Sequence, residues 1–129
     1  MGRRADARPA FESARNQLEQ AIKEQPEDPR LHSSLGIAYA ALGRSEEAIR
    51  EGRLGVELFP ISEDAFYGVP YVWDLAWTYV LTGYRDAAVE QLETLVSSPT
   101  WVTGPFLDVD PRWDDMRDHP GFRELVSPS

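Results

Sequence analysis

The chain has 129 residues, 42% of them hydrophobic, no cysteine, and a formal charge of −9. That length holds one domain with an ordinary core, and without cysteine there are neither disulfides nor thiol chemistry. So acidic a surface opposes a nucleic-acid backbone, no apolar run approaches the ~20 residues that cross a bilayer, and the opening MGRRADARPAF lacks the apolar centre of a signal peptide.

A cytoplasmic chain that contacts neither nucleic acid nor membrane is the expectation. Arg3, Arg4, Arg8 and Arg15 cluster at the start and read as a solvated helix face or domain junction. From Pro9 to Gln25, Phe11, Ala14, Leu18, Ala21 and Ile22 recur at helical spacing, with Pro9 suited to a first turn. The run Gln25-Pro26-Glu27-Asp28-Pro29 ends that helix, and Asp28 before Pro29 reads as a cap followed by a first helical position. Helices follow over 29–42 and 45–58. Ser45 would cap the second, and Glu46 and Glu47 suit its positive end. Gly52 and Gly55 each cost that helix about 1 kcal/mol relative to alanine, so the tryptophan-rich helix that follows is expected to fill the space they leave. In PISEDAFYGVP, Ser62 with Glu63 and Asp64 reads as a helix start that Gly68 and Pro70 interrupt. An extra turn over 63–68 is therefore expected before a helix over 71–82. The next helix spans 85–97, with Ala88, Leu92 and Leu95 inward. Beyond Ser98-Pro99, Asp110-Pro111 and His119-Pro120 each pair a cap with a first-turn proline. They predict short helices over 111–117 and 120–126, with Trp113, Met116, Phe122 and Leu125 inward.

An internal repeat organises these elements. Leu35 to Ile49, LGIAYAALGRSEEAI, returns forty residues later as LAWTYVLTGYRDAAV, Leu75 to Val89. Leu35 and Tyr39, like Leu75 and Tyr79, share one helix face, and Gly36 and Ala76 border it, where a second helix can approach closely. Gly43 and Gly83 stand where a helix ends in a left-handed residue. Ala48 and Ala88 are the small residues at the crossing on the returning helix. This spacing resembles the tetratricopeptide repeat, W-x2-L-G-x2-Y, then A-x3-F, then P over 34 residues. One copy runs from Pro29 to about Ser62 with Leu35, Gly36, Tyr39, Ala48 and Pro60 on signature positions. His32 replaces the tryptophan there and Gly52 the large aromatic. A second copy, from Val69 to about Val102, has Leu75, Ala76, Tyr79, Ala88 and Leu92, and its Pro99 falls one residue early. Ala14, Leu18, Ala21 and Pro26 repeat the second half of the motif ahead of both.

The fold class implied is all-α, a right-handed superhelix of antiparallel helix pairs with about two and a half repeats and a short helical cap. It divides one domain, 1–129, into the second helix of a partial repeat (9–26), a repeat (29–62), an insertion (63–68), a repeat (69–99) and a closing cap (100–129), since terminal units of a stack are usually atypical. Residues 1–8 are too few for the first helix of the leading half-repeat, so the chain is expected to be the C-terminal piece of a longer protein. The region from Pro60 to Val126 also resembles the C-terminal repeat region of bacterial multidomain signalling proteins, in which such repeats follow kinase, cyclase or DNA-binding domains. That resemblance implies the partner-sensing half of such a protein, carrying none of its chemistry.

Catalysis has little support in the residues. His32 and His119 are the only histidines, and no phosphate loop, nucleophile elbow or metal-spaced histidine pair occurs. The cluster Asp108, Asp110, Asp114, Asp115 and Asp118 fails as an EF-hand, since Trp113 and His119 stand where glycine and glutamate are required. No catalytic residue, metal or cofactor is expected. A binding groove is. Arg30, Ser33, Ile37 and Ala40 fall opposite Leu35 and Tyr39, and Pro70, Trp73, Trp77 and Val80 are their equivalents. In the family resembled, that face lines the concave groove where peptides dock. Either Trp73 and Trp77 are open anchors there, or the tail covers them through Trp101 or Phe106. The lysine and asparagine pattern that clamps a C-terminal carboxylate in some members is missing. The partner expected is a protein or peptide with basic residues around an apolar anchor. Self-association through the leading helix stands as an alternative, and an acid-cluster hydrolase as a remote one.

Overall fold

Capping side chains and prolines fix most helix starts in the computed structural model, which describes residues 2–61, 63–98 and 100–127, with backbone alone for 2–6 and 65. Ser62, Pro99 and the side chains of Arg3 and Arg4 lie outside the described residues. α1, Gly2–Glu24, starts well before Pro9 and contains it, so Pro9 is not in a first turn. The arginines and alanines ahead of it are strong helix formers, and proline's fixed φ is itself helical. α2, Pro29–Ala41, opens as expected on Asp28, whose Oδ1 accepts the Arg30 amide at 3.0 Å. After Leu42, Gly43 turns the chain at φ 79°. α3, Ser45–Leu58, has Arg44 at its cap position and no capping side chain. Ser45 is already helical and does not cap.

α4, Ala65–Thr82, corrects the expectation of a separate turn. Asp64 accepts the Tyr67 amide at 3.1 Å, and the Gly68 amide donates to the Asp64 carbonyl at 2.8 Å. The helix then runs on through Pro70, so the six-residue excess over the repeat period lengthens α4. Gly68 is there for a close approach: a Cβ on it would come 2.8 Å from the Ile61 Cα. Gly83, at φ 87°, ends the helix, and α5, Arg85–Ser97, returns antiparallel.

The tail begins with a helix that sequence periodicity does not reveal, α6, Gly104–Val109, whose Thr103 hydroxyl accepts the Phe106 amide at 3.3 Å. A 3-10 helix, Pro111–Met116, follows on its Asp110 cap, and then α7, Pro120–Val126, where His119 Nδ1 accepts the Gly121 amide at 3.0 Å. Among the described residues every regular element is a helix.

α2 pairs with α3 and α4 with α5, α1 lies on α2, and α4 packs against both helices of the preceding pair. Small residues make these crossings. A Cβ on Gly36 would meet the Ala48 carbonyl oxygen at 3.0 Å and the Gly52 amide nitrogen at 3.1 Å, and Ala48, Ala76 and Ala88 are fully buried. Leu35, Tyr39, Ala40 and Ala48 form one core with Leu18, Ile22 and Leu81 against them. Leu75, Tyr79, Ala88, Leu92 and Leu95 form a larger one continuous with Trp113, Met116 and Phe122 of the tail, while Leu125 is only partly buried against it. The tail therefore closes the last hairpin, with His119 Nε2 on Asp86 at 2.6 Å and Arg85 on Asp118 holding it to α5.

Candidate functional site

α2 touches α1, α3 and α4, which leaves it only a narrow exposed strip. Ile37, Ala40, Ala41 and Gly43 of that hairpin meet Trp77 and Leu81 of α4 and Phe11 of α1 around a hollow of about 410 Å³. Its walls are apolar side chains from three helices that the repeat geometry holds side by side.

Of the residues expected to form the groove, Ile37, Ala40 and Trp77 share this hollow. The others lie elsewhere. Ser33 is buried against α3, so close that a Cβ on Gly55 would sit 2.5 Å from its hydroxyl oxygen, and it does not face a groove. Arg30 is exposed and folds back on the Asp28 cap, Nη2 to Oδ2 at 2.9 Å. Val80 packs on the larger core, and Pro70 is exposed. Trp73 joins an aromatic cluster of the tail, with ring centroids 6.2 Å from Trp101, 5.9 Å from Phe106 and 5.1 Å from Trp113. The tail covers Trp73 in this way, while Trp77 spans both environments: its ring is 5.9 Å from Trp113 and its other side lines the hollow.

Two charged groups at this junction escaped the sequence reading. Asp74, between the tryptophans in sequence, is half-buried, and burial pushes its carboxyl up to about 6 while the Arg112 guanidinium opposes the rise. Arg112, from the 3-10 helix, places its guanidinium carbon 5.3 Å from the Trp73 ring centroid and 5.7 Å from that of Trp77. Phe11 was legible as part of an apolar stripe, and Leu81 and Asp74 lie one residue beyond Val80 and Trp73. Nothing local in the sequence places Arg112 there.

The histidines have structural partners. His32 is buried in the place of the signature tryptophan, with Nδ1 2.6 Å from Glu51 and Nε2 2.7 Å from the Pro26 carbonyl. In the acidic tail, Arg117 bridges Asp108 and Asp114 at 2.9 Å each, and Asp110 is a cap. Among the described residues no group of three metal-ligating side chains is assembled, and no helix is long and apolar enough to cross a membrane.

Stacked antiparallel hairpins that present a hollow of apolar side chains define a helical-repeat protein. The tetratricopeptide repeat family model matches residues 29–51 and 70–94, which lie within the α2–α3 and α4–α5 hairpins. These two matches, with the stacked hairpins that contain them, support assigning the repeats of this chain to the tetratricopeptide repeat family. No curated protein and no solved structure matches it.

Proposed function

We propose that this chain is a non-catalytic protein-interaction module, the C-terminal, partner-binding part of a larger bacterial signalling or regulatory protein, acting in the cytoplasm. The hollow between Phe11, Ile37, Trp77 and Leu81 carries this reading. It is an apolar recess on a surface otherwise rich in charge, and a buried anchor residue in such a recess dominates binding energy. A net charge of −9 favours a partner segment with basic residues around that anchor. Repeats of this family generally bind proteins, which supports the same conclusion.

Self-association through α1 has less support, because the side of that helix away from α2 carries the exposed polar residues Glu12, Ser13, Asn16, Gln17 and Gln20. Hydrolysis by the acidic tail has less still, with Asp108 and Asp114 engaged by Arg117, Asp118 by Arg85, and Asp110 by the amide it caps.

The test is affinity capture from native lysate with the wild-type chain and with Ile37→Asp, helicity being checked by circular dichroism. A protein retained by the first and lost by the folded variant supports the reading. Capture indifferent to Ile37→Asp, or a concentration-dependent dimer in light scattering that the same substitution abolishes, overturns it.

A further inference from the structure

We infer that the recess formed by Trp73, Asp74 and Trp77 on α4 binds an arginine side chain of the partner, and that Arg112 of this chain occupies it when the partner is absent. The inference deepens the interaction reading above and rests on it.

The recess already holds the group it is suited to. Tryptophan faces attract a cation through the ring quadrupole, within about 6 Å of the centroid, and the Arg112 guanidinium carbon satisfies that distance at both rings, 5.3 and 5.7 Å. A planar guanidinium can stack on an aromatic ring where an ammonium cannot, so arginine rather than lysine is the fitting cation. Asp74 supplies the opposite charge. A half-buried carboxylate without a nearby cation is unfavourable, and Arg112 is the cation that favours its ionised form.

Arg112 is held in a way that lets it leave. Its side chain is 40% exposed, and its nearest ion-pair carboxylate, Asp110, is 3.9 Å away. The bond that starts the 3-10 helix comes from its backbone amide to Asp110, at 3.0 Å, and does not involve the guanidinium. The side chain can therefore rotate into solvent without unwinding the tail. Trp77 lines both this recess and the apolar hollow. One partner segment with an apolar residue and a nearby arginine would fill the two together, displacing Arg112.

The probe is N-acetyl-arginine amide, followed by the Trp77 indole N–H resonance in wild type, Arg112→Gln and Arg112→Gln/Asp74→Asn at pH 8, with N-acetyl-citrulline amide as the uncharged isostere. Vacating the recess removes a competing cation–aromatic contact, so half-saturation in Arg112→Gln is expected at about tenfold lower probe concentration than in wild type. Adding Asp74→Asn should abolish the gain, and the citrulline analogue should leave the resonance unmoved. Arg112→Ala repeats the measurement if the glutamine variant lowers the melting temperature. Equal titration of wild type and both Arg112 variants, or an equal response to citrulline, overturns the inference. With capture of an Ile37-dependent partner intact, that result leaves the interaction reading standing; loss of both removes it as well.

Discussion

Tyr39 and Tyr79 hold the same place in successive hairpins. The Tyr39 hydroxyl donates to Glu19 Oε2 on α1, and the Tyr79 hydroxyl accepts from Arg53 Nε on α3 at 3.0 Å. Glu19 and Arg53 are 34 residues apart in the sequence, one repeat period. α1 thus stands to α2 as α3 stands to α4, the relation of the second helix of one hairpin to the first helix of the next. The polarity of the partner is inverted, since one tyrosine meets an acceptor and the other a donor, so the position conserves a hydrogen bond and not a particular pair.

Tyr39→Phe should weaken the first junction with a definite pH signature. The hydrogen bond from Tyr39 is the largest of the effects that hold the Glu19 carboxyl below its ordinary value, with Arg15 adding to it. A folded value below the unfolded one contributes stability that is present above the unfolded pKa and fades as pH falls through the folded value. Tyr39→Phe is therefore expected to cost about 1 kcal/mol at pH 7, and less below pH 4. Urea denaturation at both pH values measures this, and an equal loss at both contradicts it.

The parts of this architecture that rest on local chemistry were legible. Asp28, Asp110 and His119 announce their helices, the two left-handed glycines announce the turns, and the repeat places α2 through α5. Ser45 misled because a cap depends on the exit angle of the previous turn as well as on side-chain type. α6 was missed because six residues show no period, and its Gly104 is fixed by a distant contact: a Cβ there would clash with the Leu125 carbonyl oxygen. The groove was partly misphased. A face opposite Leu35 and Tyr39 is open on a helix with one neighbour, but α2 has three. Ser33 is consequently enclosed, leaving Ile37 to face the hollow.

Gly52 and Gly55 were both expected to make room for α4, and only Gly52 does. A Cβ on Gly52 would meet the Leu75 Cδ1 at 3.0 Å, whereas one on Gly55 would meet the Ser33 hydroxyl oxygen at 2.5 Å and the Pro29 carbonyl oxygen at 3.2 Å on α2. Alanine gains about 1 kcal/mol of helix propensity at either site, set against overpacking of about 1–3 kcal/mol. At Gly52 the end of a leucine can shift, so Gly52→Ala should be near neutral. At Gly55 the carbonyl is backbone and cannot move aside, so Gly55→Ala should lose about 1–2 kcal/mol. Denaturation midpoints in the opposite order would show that α2 and α3 are not in this register.

Asp74→Asn should stabilise the protein above about pH 6 and do little below pH 4. Burial raises the Asp74 carboxyl from 3.8 to about 6, against the opposing charge of Arg112 from the 3-10 helix. Tyr71, on the same helix, also feels Asp74, along with Asp28 and Arg30 at the start of α2. Because the folded value lies above the unfolded one, the folded state binds the proton more tightly. Stability from this group then falls as pH rises from about 4 to 6 and stays reduced beyond. The full shift corresponds to about 3 kcal/mol, which screening at a half-buried site reduces to about 1–2 kcal/mol. The observable is the difference in melting temperature between wild type and Asp74→Asn at pH 4 and pH 7.5; a gap that does not widen with pH would mean that Asp74 is well solvated.

Trp113 joins the tail to the last hairpin, and two substitutions there separate packing from polarity. Its side chain is fully buried, edge-on to both Trp73 and Trp77, and its indole N–H is buried without a hydrogen-bond partner among the described residues. Trp113→Ala removes the ring and leaves a cavity, which costs about 3–5 kcal/mol. Trp113→Phe loses part of that apolar area but also an unpaired buried donor, whose desolvation is unfavourable by about 1–3 kcal/mol. The phenylalanine variant is therefore expected within about 1 kcal/mol of wild type, and the alanine variant far below it. Differential scanning calorimetry of the two, with near-ultraviolet circular dichroism reporting the tryptophan environment, distinguishes the contributions. A loss for Trp113→Phe approaching that for Trp113→Ala would mean that the indole N–H is satisfied, and that the tail is held by a polar contact as well as by its rings.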